Sequence, residues 1–160
     1  RFLLSDSGQI QSIVITRSSG DDELDASIKA AIANGSSQAS DFFGVVGASK
    51  IFEDGCPNGL CAPSIESATV AGTSYSNIPA WERTEDVAGK KTSYFDIDNR
   101  SIKFDLGAGA EVSKNPRFII EYLGPAENKE TTLYRITARA WGRNQNTQVT
   151  LQSVIRVNNS

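Results

Sequence analysis

Arg117-Phe118-Ile119-Ile120-Glu121-Tyr122-Leu123 and Leu133-Tyr134-Arg135-Ile136-Thr137-Ala138-Arg139-Ala140-Trp141 are the two stretches whose reading decides the fold. The first follows Pro116 and stops at Gly124-Pro125, the punctuation of a strand. The second alternates, with Tyr134, Ile136, Ala138 and Ala140 on one face and Arg135, Thr137, Arg139 and Trp141 on the other. A polar turn over residues 142–147 leads into a return strand carrying Val149, Leu151, Ser153, Ile155 and Val157 at the same period. Upstream, Ser101-Ile102-Lys103-Phe104-Asp105-Leu106 also alternates before Gly107-Ala108-Gly109 ends it. Residues 96–160 are therefore predicted to form an antiparallel sheet of about four strands.

Working back toward the N-terminus, Asp21, Asp22 and Glu23 place negative charge where a helix begins. Leu24, Ile28 and Ile32 repeat at four-residue spacing, and Asn34-Gly35 supplies a stop. This predicts a short amphipathic helix at about 21–34. Residues 1–19 are ambiguous, because Leu3, Ile10, Ile13 and Val14 fit a helical stripe while Ile13-Val14-Ile15-Thr16 is β-branched and reads equally as a strand. The segment 36–95 is rich in Ser, Gly, Ala, Asn and Pro, with short apolar pieces at Phe42-Phe43-Gly44-Val45-Val46 and Ile51-Phe52, and reads as mostly loop. Pro79-Ala80-Trp81 within it looks like an aromatic anchor entering a turn. The expectation is one α+β domain over residues 1–160: about 1–35 helical or mixed, then the loop-rich region, then the sheet.

Length agrees with this, since 160 residues and 17.2 kDa are one ordinary domain. The formal charge of −3 provides no basic field for a phosphate backbone, so nucleic acid is not an expected partner. Histidine is absent, which removes the usual general base and the usual transition-metal ligand together. No apolar run reaches the roughly 18 residues of a bilayer span. The sequence starts at Arg1 and contains no Met, as expected of a processed or excised chain.

Cys56 and Cys61 are the only cysteines, too few for a closed zinc site without histidine and spaced too widely for a redox CxxC pair. Between them, Pro57 and Asn58-Gly59 are turn formers able to bring the sulfurs together, so a local disulfide is expected, and with it an oxidising compartment. Catalytic signatures do not occur: Gly107-Ala108-Gly109 lacks the rest of a dinucleotide loop, and no phosphate-binding loop or nucleophile elbow is written. No cofactor and no catalysis are expected. Asp96-Ile97-Asp98-Asn99-Arg100 begins like a calcium loop, but Arg100 takes a ligand position, which leaves Asp96, Asp98 and Asn99 as a weak metal candidate. On the strand faces away from the apolar set, Arg117, Arg135, Arg139 and Arg156, with Glu121 among them and Trp141 beside them, form a candidate partner-binding face. A solvated or covered face with charges paired across strands is the plainer reading of the same residues.

Several blocks, in order and spacing, resemble the PilX type of minor pilin from bacterial type IV pili. They are Gly55 through Ser64, Pro79-Ala80-Trp81, Asn115 through Gly124, Leu133 through Gly142, and Thr147 through Ser153. The PilV type shares parts of the pattern. The resemblance covers about residues 55–157. It implies a pilin-like fold in which the end of a long N-terminal helix packs on the antiparallel sheet, and a hydrophobic, membrane-inserted helix that this sequence does not include. It also implies a structural role: priming pilus assembly in the inner membrane, facing the periplasm, with other minor pilins and the major pilin, and then sitting at or near the tip with an adhesin. A type II secretion pseudopilin with a calcium-bound head, or a minor pilin of a DNA-uptake system, are the rival readings.

Overall fold

The computed structural model describes residues 2–4, 10–13, 22–40, 51–64, 69–70, 73–74, 78–125 and 130–158. The apolar piece Phe42–Val46 and residues 14–16 of the β-branched stretch lie outside them. In chain order the elements are β1 (Phe2–Leu4), β2 (Ile10–Ile13), α1 (Asp22–Ser40), β3 (Leu60–Cys61), β4 (Thr69–Val70), β5 (Thr73–Ser74), β6 (Thr84–Val87), β7 (Lys90–Ser93), β8 (Ile102–Lys103), β9 (Arg117–Pro125), β10 (Thr131–Trp141) and β11 (Gln148–Asn158). The class is α+β.

The principal sheet runs β11-β10-β9, and both β8 and β3 pair with the far edge of β9. β8 meets Phe118 and Arg117 antiparallel, whereas Leu60 and Cys61 of β3 meet Ile120 and Glu121 in parallel. The sheet is thus five-stranded and mixed, not antiparallel with about four strands. The parallel strand is only two residues long and emerges from the cysteine turn, so no alternation announced it. The alternating stretch 101–106 pairs only at Ile102–Lys103, and the loop-rich segment contains the β6–β7 hairpin.

One face of the sheet is apolar. Leu24, Ile28, Ala31 and Ile32, on one stripe of α1, share a single buried cluster with Phe118, Ile120, Tyr134, Ile136, Ala138, Ala140, Ile155 and Val157. Phe52, Tyr122 and Tyr134 add a trio of rings with centroids 5.7 to 5.9 Å apart. Burial pushes the Tyr134 phenol up to about 12. Ser27 and Ser36 lie buried in the helix, and each hydroxyl donates to a carbonyl one turn back, Leu24 at 3.0 Å and Ile32 at 2.8 Å.

The helix continues to Ser40 and does not stop at Asn34-Gly35. Gly35 is there for proximity: a Cβ at that position would lie 2.6 Å from Ile136 Cγ2 and 3.0 Å from Phe118 Cδ2. The missing side chain lets the helix backbone come down onto the sheet, and the same residue that reads as a terminator serves as a contact.

Candidate functional site

The opposite face is built differently. Cys56, Cys61, Ala80, Phe95, Ile119 and Trp141 form a second, smaller buried cluster, with Trp81 and Tyr94 packed against it. The turn that closes the cysteine loop needs left-handed backbone at Cys56 (φ 50°), Asn58 (54°) and Gly59 (81°), which Asn and Gly accept readily. Cys56 and Cys61 are bonded to each other, and both are fully buried. The expected disulfide is present.

Arg83, only 3% exposed, fastens this loop to its neighbours. Its Nε donates to the Ile78 carbonyl at 3.0 Å and its Nη1 to the Asp54 carbonyl at 3.1 Å, with Cys56 Sγ at 3.8 Å from the same nitrogen. Burial lowers its pKa, opposed by the nearby charges of Asp54 and Glu121. Glu121 is 1% exposed on the sheet side of this layer; Arg135 Nη1 stands 3.6 Å from its Oε2, while Oε1 has no hydrogen-bond partner. Burial raises the Glu121 carboxyl above its ordinary value, and the guanidinium groups of Arg135 and Arg83 offset only part of that.

The arginines of the candidate partner face are largely occupied within this layer. Arg135 lies over the Trp81 ring at 5.3 Å, and Arg139 over Phe95 at 4.4 Å. Arg139 Nη1 also donates to Ser93 Oγ at 3.4 Å and its Nε to Thr150 Oγ1 at 3.3 Å, and burial lowers its pKa. Arg117 pairs with Asp98 and donates to Ser101 Oγ at 3.4 Å. Trp141 is buried beneath Lys114, whose Nζ is 5.1 Å from the ring. Arg156 stands apart from these as an exposed residue on β11. The guanidiniums therefore act as cationic struts between the sheet and the loops over it. Arg100 does the same among the loops, with its Nε 2.9 Å from Glu85 Oε2 and its Nη1 donating to the Gly55 carbonyl at 2.7 Å.

The weak metal candidate is drawn into the same network. Asp96 faces Lys114 at 3.2 Å, and Asp98 is held well below the usual carboxylate range by its hydrogen bond from Arg117. Asn99 gives its backbone carbonyl to the Asn58 N–H at 2.9 Å, tying this turn to the cysteine loop. Among the described residues no three His, Cys, Asp or Glu side chains come together as a metal set.

The result is a bonded cysteine loop laid over the sheet and locked there by a buried carboxylate and aromatic-stacked arginines. Residues 57–157 match the family model of the type IV pilus assembly protein PilX C-terminal region. That span begins one residue after Cys56 and takes in the rest of the cysteine loop, the stacked-arginine layer and the strands β8 to β11 as far as Val157. The chain belongs to this family, a structural component of type IV pili. No curated protein and no solved structure matches the chain significantly. No helix among the described residues is long and apolar enough to cross a membrane.

Two functional-site residues carried little local signal. Glu121 announced itself only as a lone carboxylate in an apolar run, and Arg83 is tied to Asp54, 29 residues away, which no window of sequence reveals.

Proposed function

We propose that this chain is the head of a structural minor pilin that helps prime type IV pilus assembly and sits at or near the pilus tip, held by protein–protein contacts. The observation that carries the reading is the family match over residues 57–157, because that span takes in nearly all of the two-sided sheet and the loops on its polar face. A long helix whose apolar stripe packs on the sheet is the arrangement by which a pilin head sits on its stem. The partners in this reading are the other minor pilins, the major pilin and a tip adhesin. Before assembly the protein is held at the inner membrane, head in the periplasm, by the hydrophobic N-terminal helix that pilins carry; afterwards it is at the cell surface. The role is structural and not catalytic. With Arg117, Arg135 and Arg139 engaged as struts and Trp141 buried, the partner-facing part of the arginine face is its rim, where Arg156 is exposed.

The test is a pulldown of the purified head against soluble heads of the other minor pilins and the major pilin from the same organism, with Arg156→Glu in parallel. Selective retention of minor-pilin heads, weakened by the charge reversal, is expected. Retention of none of them would overturn the priming role.

A further inference from the structure

β11 is an edge strand of 11 residues, and its pairing with β10 runs without a bulge from Thr131 opposite Asn158 to Trp141 opposite Gln148. The hairpin-closing bond, Gly142 N–H to the Thr147 carbonyl at 2.8 Å, sets the alternation of the ladder. Odd-numbered residues of β11 turn their amides toward β10, and Thr150, Gln152, Val154 and Arg156 turn theirs outward. Among the described residues no strand pairs with that outer edge. Proteins usually protect such an edge with prolines, bulges or repeated charges. β11 has no proline, no bulge, and a single charged residue, Arg156.

We infer that this edge pairs with the same edge of a second copy, antiparallel and centred on Ser153. In that register Gln152 faces Val154, Leu151 faces Ile155, Thr150 faces Arg156 and Val149 faces Val157. Apolar residues of the face shared with α1 meet apolar residues, and each arginine meets a threonine, so like charges never oppose one another. The outward amides of Gln152 and Val154 exchange hydrogen bonds, and Ser153 occupies the non-bonded position where side chains approach most closely.

The same self-complementarity argues for a second copy over a foreign strand: the edge that carries Arg156 also carries the threonine that would face it, and its exposed positions Gln152 and Val154 face one another. The contact is isologous, so it joins two heads and closes. It stands on the geometry of β11 and is independent of the pilus reading.

Sedimentation and light scattering over a range of concentrations test it, with three variants. Wild type is expected to double in mass as concentration rises. Gln152→Cys combined with Val154→Cys, at exposed positions that face one another across the pair, is expected to form a covalent dimer that reductant dissolves. Val154→Lys, at an exposed position on the edge, and Gln152→Pro, which removes an outward amide, are expected to stay monomeric with an unchanged circular dichroism spectrum. A wild type that stays monomeric throughout overturns the inference, as does a dimer that neither cross-links through the paired cysteines at 152 and 154 nor dissociates in Val154→Lys.

Discussion

The two faces of one sheet are held by different physics. Toward α1, Ile120, Ile136, Ile155 and their neighbours meet aliphatic helix residues, and the contact is non-directional burial. Toward the cysteine loop, the same strands present Glu121, Arg135 and Arg139, and the contact is made of hydrogen bonds, stacked guanidiniums and one covalent bridge. The apolar face supplies stability. The polar face supplies fixed geometry, because a fork of donors or a stacked ring accepts one orientation where packed aliphatics accept several.

Substitutions at the centre of each face measure this contrast. Ile136→Ala removes a fully buried side chain from the apolar cluster and is expected to cost about 2–5 kcal/mol in denaturant unfolding. A cost well under that range would break the assignment of stability to the α1 side. Arg83→Met keeps the bulk of the side chain but abandons the carbonyls of Ile78 and Asp54 and leaves Glu121 with less compensation, for an expected loss of about 3 kcal/mol. Hydrogen exchange in this variant should rise across residues 78–100 while α1 stays protected. Loss of protection in both at once would mean that the faces are one cooperative unit. Arg83→Lys should not rescue, since an ammonium cannot span both carbonyls.

The smallest expected effect is a slope. Because burial raises the Glu121 carboxyl in the folded state, folded protein holds its proton where unfolded protein has lost it. Its contribution to stability therefore falls as pH rises from the ordinary glutamate value of 4.5 through the raised one. Comparing thermal unfolding of Glu121→Gln with wild type across that window isolates the group, and the difference should move in favour of the variant as pH rises. A constant difference would show that Arg135 and Arg83 neutralise the carboxylate in full.

The long strands and the bonded cysteines were legible because each depends on local pattern: period-two alternation in Tyr134–Trp141, and turn formers between Cys56 and Cys61. The other errors share a cause. Gly35 reads as a helix stop from its own chemistry, and only the presence of Ile136, about a hundred positions along, makes it a contact. The β6–β7 hairpin turns on Ala88-Gly89, with Ala88 at φ 51°, where the usual signal would be Asn-Gly or Asp-Gly. The arginine face was visible as a row of charges, but its conversion into struts depends on Trp81 and Phe95 arriving from distant loops. Periodicity tells which way a side chain points and is silent on what comes to cover it.

The Gly35 notch also has a mechanical meaning. With the methyl of Ile136 seated where the helix carries no Cβ, α1 and the sheet are keyed together like a shaft and its pin. Sliding the helix along its axis by about one turn, 5.4 Å, would take the notch from beneath Ile136 and bring the side chain of a residue on the same stripe, such as Ala31 or Ile32, in its place. A pull delivered along the helix is thus resisted by a steric stop as well as by the burial of apolar surfaces, and at that stop load entering through α1 passes into β10 at Ile136 and β9 at Phe118.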